Sequence, residues 1–143
     1  MPPTNHAVVG TWKLVSADIR SEDGTVAYPF GRDAIGQMIL TADGYLSKQF
    51  GGAHRPNLPV GDWVAATPAE VDASARHYFA YCGRYEVRGN ELIYDLELSL
   101  MPNWIGSSQV RTFTIENDRL TTVTPVLPIG GKPQTSTLVW QRA

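Results

Sequence analysis

The sequence has one cysteine, Cys82, in 143 residues, and it has no strong excess of either charge. A single thiol excludes a disulfide within the chain and is typical of a reducing compartment. The formal net charge is −2, with 18% charged residues and no basic run. This charge pattern argues against nucleic acid or an anionic membrane surface as a partner.

Long apolar runs are also absent. No apolar segment is long enough to cross a bilayer as a helix. The first ten residues, MPPTNHAVVG, lack the basic start and apolar centre of a secretory signal peptide. These features predict a cytoplasmic protein without a membrane segment. A chain of 143 residues can bury a core without disulfides or metal ions, so we expect residues 1–143 to form one domain.

Metal and cofactor motifs are missing as well. The three histidines, His6, His54 and His77, show no ligand spacing, and there is only one thiol. The sequence therefore predicts no zinc or iron site. Gly51-Gly52 and Gly130-Gly131 lack the flanking residues of a phosphate or dinucleotide loop, and no nucleophile elbow is found. We expect a protein without a cofactor.

The sequence does contain a series of short alternating strands separated by turn signals. Asp43-Gly44 and Gly89-Asn90 mark two tight hairpins. The eight predicted strands cover residues 9–19, 37–41, 45–50, 81–87, 91–99, 109–116, 120–124 and 136–142. Short antiparallel strands in this number favour a closed up-and-down barrel, because closure removes both exposed edges and leaves room for one small ligand.

One helix is predicted between the strands. Thr67 is placed to cap it, Pro68 to occupy its first position, and Glu70 to return a hydrogen bond to the cap. Apolar residues continue at helical spacing from Val71 to Phe79. We therefore expect the helix to run to about Phe79 and to pack its apolar face on the sheet.

A loop rich in Gly and Pro, residues 51–63, precedes this helix. Loops of this length in a compact domain often form a lid or a binding segment. If this loop covers the mouth of the barrel, His54 becomes a candidate for acid/base chemistry or ligand binding.

Several segments resemble the lipocalin-like domain family, a group of calycin-type barrels common in bacteria and fungi. They are VGTWKLVS at 9–16, GQMI at 36–39 with DGYLS at 43–47, YFAYCGRY at 78–85, Glu97 with PNWIG at 102–106, and LVWQR at 138–142. The resemblance implies an all-β fold, an eight-stranded antiparallel up-and-down barrel with one inserted α-helix. It does not imply a single function, because the wider fold includes passive carriers as well as lyases, isomerases and cyclases. Family members often carry a histidine pair just before the glutamate, whereas this chain has Tyr94 and Asp95 there, so a role of that pair does not transfer.

The stretch from Tyr81 to Arg111 holds most of the ionisable and aromatic side chains that can meet in one place. We expect Arg111 to face the interior and to need a carboxylate partner, because an unpaired buried charge is costly and a guanidinium binds a carboxylate well. Glu97, on the preceding strand, is the predicted partner. The alternative is that Asp95 and Glu97 form the wet face of a half-buried strand.

The first function hypothesis is a cofactor-free lyase, isomerase or cyclase that transfers a proton on a small, partly apolar organic molecule. Burial raises the pKa of a carboxylic acid and so makes its carboxylate a stronger base. Glu97 or Asp95 would move the proton, and Tyr85, Tyr94 or Arg111 would stabilise the oxyanion. The residues expected to bind the ligand are Tyr45, Ser47, His54, Tyr81, Trp104 and Gln109, and four side chains are expected to face a common interior, namely Tyr45, Tyr85, Gln109 and Arg111.

Two alternatives use the same barrel. In one, the protein is a non-catalytic carrier or sensor of a small hydrophobic ligand. In the other, it is an interaction module with a filled core. Several polar residues occupy strand positions that can face the interior. They favour a barrel that binds a ligand, since polar groups are costly to bury without partners. In each case Trp12 is expected to plug the closed end, with Arg142 or Arg111 stacked on its indole.

Overall fold

The computed structural model describes residues 7–143. His6, and the first residues on which the signal-peptide prediction rests, lie outside the described residues. The strands of the described chain are β1 Gly10–Ser21, β2 Val26–Ala27, β3 Ile35–Leu40, β4 Tyr45–Gly51, β5 Tyr78–Arg88, β6 Glu91–Ser99, β7 Ser108–Glu116, β8 Arg119–Val123, β9 Leu127–Ile129 and β10 Lys132–Arg142. The α-helix α1 spans Pro68–Ala75, and a short 3-10 helix spans Pro102–Trp104.

Eight of these strands form a closed antiparallel barrel in the order β1, β3, β4, β5, β6, β7, β8, β10. The barrel closes where β10 pairs with β1, with Trp12 opposite Arg142 and Ile19 opposite Ser136. The short strands β2 and β9 pair with β1 and β10 at one end. The predicted eight-stranded barrel with one helix is confirmed.

The tight turns between β3 and β4, β5 and β6, and β7 and β8 all lie at one end of the barrel, which we call the closed end. Gly44 has a φ of 92° there, and Asn117 and Asp118 have φ values of 50° and 63°. Positive φ at both central residues gives a hairpin turn whose twist matches that of the strands. We call the opposite end, where the longer connections run, the open end.

Large apolar side chains pack the closed half of the barrel. Trp12 and Trp140 are fully buried, and the indole nitrogen of Trp12 donates a 2.9 Å hydrogen bond to the carbonyl oxygen of Val8. The Arg142 guanidinium lies 4.2 Å from the centre of the Trp12 ring. The expectation that an arginine stacks on a buried Trp12 is confirmed, and the arginine is Arg142.

A β-bulge interrupts the pairing of β5 with β6. Cys82 pairs with Leu98 and Gly83 with Leu96, so Glu97 is the extra residue. A Cβ atom on Gly83 would lie 2.1 Å from the carbonyl oxygen of Asp95. There is therefore no room for a side chain at position 83 while β5 and β6 remain this close together.

The helix begins as predicted, but it is shorter than expected. Thr67 and Glu70 form a reciprocal capping box, and Pro68 is the first helical residue. The predicted end near Phe79 is wrong, because α1 ends at Ala75 and β5 starts at Tyr78. No residue of α1 is fully buried, and Val71 and Ala75 are half-buried, so the apolar face of the helix is covered only in part.

No helix in residues 7–143 has both the length and the apolar character needed to cross a membrane. The cytoplasmic location stays a prediction.

Candidate functional site

A cavity of about 350 Å³ lies inside the barrel at its open end. Its walls come from strands β1, β4, β5, β7, β9 and β10 and from the connections at the open end. Its larger apolar side chains are Ile19, Phe30, Phe50, Phe79, Met101, Trp104, Leu127, Ile129 and Leu138. The cavity is enclosed mainly by carbon, as is typical of small-molecule sites.

Aromatic rings form a continuous wall along one side of this cavity. The ring centres of Phe30 and Phe50 lie 5.1 Å apart, and those of Phe50 and Phe79 lie 5.9 Å apart. Phe79 continues to Trp104 at 5.3 Å. These distances suit edge-to-face and tilted packing, so the wall offers flat apolar surface to a ring placed against it.

Polar side chains also line the cavity, and three of them, Lys48, Tyr81 and Arg111, are called the cationic floor here. Lys48 is 2% exposed, Arg111 4% and Tyr81 4%. Lys48 Nζ lies 2.7 Å from the Tyr81 hydroxyl oxygen. Arg111 donates from Nη1 to the carbonyl oxygen of Val110 at 2.8 Å.

The alternation of β4 explains why a lysine is buried. Leu46 and Lys48 are buried and Phe50 is half-buried, while Tyr45, at the start of the strand, is exposed. Side chains two residues apart share a face of a strand. Sequence reasoning missed Lys48, although the signal was its place between Leu46 and Phe50 on one face.

Aromatic faces surround both cations of the floor. Lys48 Nζ lies between 5.0 and 5.7 Å from four ring centres, those of Phe50, Tyr81, Tyr94 and Trp140. The Arg111 guanidinium lies 5.8 Å from the Tyr94 ring and 5.6 Å from the Trp104 ring. Cation–π attraction offsets part of the cost of taking these charges out of water.

Within the described chain, neither cation of the floor forms an ion pair with a carboxylate. Asp18 lines the cavity and is 6% exposed, but its two oxygens each accept a 3.1 Å hydrogen bond from Arg20. The carboxylate that lines the cavity is therefore already engaged. No carboxylate of residues 7–143 balances the charge of Arg111 or of a protonated Lys48.

This arrangement changes the acidity of the floor. Burial lowers the pKa of Lys48, and the charge of Arg111 lowers it further, against the opposing effect of Tyr81. Burial would raise the pKa of Tyr81, but the charges of Lys48 and Arg111 and the hydrogen bonds from both side chains outweigh it and leave that pKa lowered. Burial raises the pKa of Tyr94 far above its ordinary value, so Tyr94 stays protonated.

Two more polar atoms near the floor lack partners among residues 7–143. These buried atoms are the Tyr94 hydroxyl oxygen and the Trp140 indole nitrogen. The Tyr94 ring lies 6.0 Å from the Tyr81 ring. These two polar atoms are thus buried without a hydrogen-bond partner in the described part of the chain.

Some predicted site residues meet at this cavity. Tyr81, Trp104 and Arg111 line it, and Tyr94 packs against Tyr81. The expectation that Arg111 faces the interior is confirmed by its burial.

Two others face inward elsewhere. Tyr85 is buried toward the closed end, where its hydroxyl donates a 2.6 Å hydrogen bond to the carbonyl oxygen of Thr41. Gln109 is half-buried and bonds Ser107 Oγ at 2.9 Å. Neither of them lines the cavity.

The predicted pairing of Arg111 with Glu97 is wrong. Leu92, Tyr94 and Leu96 are the buried face of β6, so Asp95 and Glu97 are exposed on the other face. The structure matches the alternative, in which the two carboxylates belong to the wet face of a half-buried strand. Aromatic faces and a phenol, rather than a carboxylate, surround the cations.

Three other expected ligand contacts also lie outside the cavity. Tyr45 is 47% exposed, with the Arg84 guanidinium 4.5 Å from its ring centre. The prediction that Tyr45 shares the interior is wrong, because it lies on the face of β4 opposite Leu46. Ser47 is on that same outer face and lines a shallow groove beside Cys82.

His54 does not contribute to the cavity either. Its Nε2 lies 2.8 Å from a carboxylate oxygen of Asp33, and its side chain is 84% exposed. The loop at 51–63 that carries it does not line the cavity, and the mouth is instead formed by segments around Phe30, Met101 and Pro128. In residues 7–143 no group of three or more His, Cys, Asp or Glu side chains is arranged to hold a metal ion.

Comparisons with known proteins agree with this architecture. The family model for the lipocalin-like domain matches residues 9–143. The 4'-hydroxy-3'-methoxypropiophenone carrier protein ppsC of Aspergillus oryzae is 35% identical over 101 residues, which are 62% of this chain and 90% of that protein. The crystal structure of a lipocalin-like protein from Bacteroides uniformis superposes with a TM-score of 0.50 at 13% identity, over 96% of this chain and 99% of that one, which supports the fold alone. The chain therefore belongs to the lipocalin-like domain family.

Proposed function

We propose that this protein binds a small aromatic molecule in the open-end cavity and carries it without covalent change. The observation that supports this most is the cavity of about 350 Å³ with its aromatic wall. That volume falls within the range of roughly 300–1,000 Å³ usual for small-molecule sites. A flat ring placed beside Phe50 and Phe79 would bury apolar surface on both sides of the contact, which favours binding.

The relative from Aspergillus oryzae supports the same class of ligand. Its name describes a carrier of 4'-hydroxy-3'-methoxypropiophenone, an aromatic ketone with a phenolic hydroxyl. We propose for this chain a ligand of that general kind, small and aromatic, without assigning that compound to it.

A cavity-filling variant tests the proposal. Ser136 lines the cavity from β10, whereas Thr135, the next residue, faces the other way by strand alternation. We expect propiophenone to bind the wild-type protein saturably in calorimetry, Ser136→Trp to weaken that binding by at least roughly tenfold, and Thr135→Trp to leave it unchanged. Equal binding by Ser136→Trp, with thermal unfolding showing a folded protein, would place the ligand outside the cavity and contradict the proposal.

Acid/base catalysis in the same cavity is a second candidate function. The observation that favours it is the lowered pKa of both Lys48 and Tyr81, which brings a proton donor and a proton acceptor closer to neutral pH. In this account Lys48 and Tyr81, rather than Glu97 and Asp95, would move the proton of a lyase, isomerase or cyclase reaction. Recovery of chemically unchanged ligand after long incubation favours the carrier, and a product formed by wild-type protein but not by Tyr81→Phe favours the enzyme.

A further inference from the structure

We propose that the aromatic ligand carries an acidic oxygen, as a carboxylate or an ionised phenol, and that this oxygen contacts Lys48 and Arg111. The inference rests on the proposed function and names the chemical class of its ligand. The ring would lie against the aromatic wall and the anionic oxygen on the cationic floor.

Uncompensated charge on the floor is the first support. Lys48 and Arg111 both line the cavity and are nearly fully buried. Asp18, the one carboxylate that lines it, is held by Arg20 through both oxygens. Burial of a cation is costly unless an opposite charge compensates it, so an anion entering this cavity gains two cationic partners that no carboxylate of residues 7–143 pairs with, although Lys48 is hydrogen-bonded to Tyr81.

The ionisable groups around Lys48 are the second support for an anionic ligand. The ionisable groups that face it are Tyr81 from β5, Tyr94 from β6 and Arg111 from β7, with Asp18 at the cavity wall on β1. Tyr94 stays protonated, because burial raises its pKa. Tyr81, with its lowered pKa, is thus the group of the floor that can supply negative charge when no ligand is bound.

A bound anion would replace that charge. When Lys48 is an ammonium and Tyr81 a phenolate, entry of an anionic ligand brings a second negative charge to the same cations. Tyr81 then takes one proton from solvent and becomes a neutral phenol, which keeps the net charge of the site unchanged. No covalent bond forms or breaks, and at pH values above the folded pKa of Tyr81 the binding of an anion is coupled to the uptake of up to one proton.

A matched pair of probes separates the contribution of the ligand's charge to affinity from that of its ring. 2-Naphthoate and 2-naphthamide have the same ring and nearly the same shape, but only the first is an anion at neutral pH. We expect 2-naphthoate to bind wild-type protein at least roughly tenfold more tightly, since charge-assisted hydrogen bonds are the stronger ones. Lys48→Met should remove most of that preference and leave 2-naphthamide binding nearly unchanged.

Two controls keep the test decisive. Lys13→Met removes a lysine that is exposed and bonded to Gln37, and it should change neither affinity. If Lys48→Met fails to fold, Arg111→Met takes its place, since Arg111 also lines the cavity, and it should likewise reduce the preference for 2-naphthoate over 2-naphthamide.

The possible failures are distinguishable. Equal wild-type affinity for the two probes, or a preference for 2-naphthoate that survives Lys48→Met, would overturn this inference and leave the aromatic-binding function standing. Binding of neither probe would overturn both.

Discussion

Lys48 and Tyr81 are directly opposite each other on β4 and β5, and their side-chain polar atoms meet at 2.7 Å inside the barrel. Strand register fixes the pair, because residues opposite each other on neighbouring strands share a face. The pair stands between the packed closed half and the open-end cavity. A hydrogen bond between two ionisable groups at that depth adds to the effects of burial and of Arg111 on the acidity of the site.

The first prediction concerns the ionisation of Tyr81. In the wild-type protein, Tyr81 should ionise below its ordinary pKa of 10.0, because the charges of Lys48 and Arg111 stabilise the phenolate. The measurement is the near-ultraviolet absorbance of tyrosinate during a pH titration, taken as the difference between wild type and Tyr81→Phe. Lys48→Met should move this ionisation to higher pH, and a titration that Lys48→Met leaves in place would contradict the assigned cause.

The second prediction concerns stability against pH. The folded pKa of both Lys48 and Tyr81 is below the ordinary values of 10.5 and 10.0, so between the folded and unfolded pKa values the unfolded chain binds more protons. The free energy of unfolding should therefore rise with pH through that window, and this contribution is lost as pH falls through the folded pKa. Urea unfolding of wild type and of the double variant Lys48→Met, Tyr81→Phe should show a difference that grows in favour of wild type toward pH 10. A difference independent of pH would show that the pair does not titrate as described.

The third prediction concerns the exposed carboxylates. Glu97→Gln and Asp95→Asn should each change the free energy of unfolding by no more than about 0.5 kcal/mol, because both residues are exposed on the outer face of β6. Neither variant should alter the binding of 2-naphthoate, whereas Arg111→Met should weaken it. Weaker 2-naphthoate binding by Glu97→Gln would show that the Glu97 carboxylate contributes to the binding site.

The fourth prediction concerns the bulge. Gly83→Ala should cost about 1–3 kcal/mol, the usual range for overpacking, because a Cβ there would lie 2.1 Å from the Asp95 carbonyl oxygen. Gly52→Ala is the matched control, since its nearest contacts would be at 3.6 Å. Chemical denaturation measures both, and equal stability of the two variants would show that the strands separate easily at the bulge.

Much of the barrel could be predicted because alternation and turn chemistry are local. Asp43-Gly44 and Gly89-Asn90 favour hairpin turns through their own backbone preferences, which do not depend on distant residues. The helix start at Pro68 was equally local, since the capping box lies within four residues. Its end was not, because Tyr78 and Phe79 fit helical spacing as well as a strand, and only pairing with β4 decides between them.

The site was only partly predictable, for two physical reasons. A lysine is rarely buried without a partner, and the aromatic rings around Lys48 come from separate strands, so no local pattern predicts its burial. Arg111 was placed inside correctly, but the inference that it needs a carboxylate failed, since Tyr94 and Trp104 supply aromatic faces instead. The mouth formed around Phe30 and Pro128 depends on contacts between distant segments that no local pattern reveals.

A crystal structure of the protein grown with saturating 2-naphthoate shows the position of the ligand without inference. We expect one molecule in the open-end cavity, with its rings beside Phe50 and Phe79 and its carboxylate within hydrogen-bonding distance of Lys48 Nζ. A 2-naphthoate molecule bound only in the outer groove beside Ser47 and Cys82, with the cavity unoccupied, would contradict it.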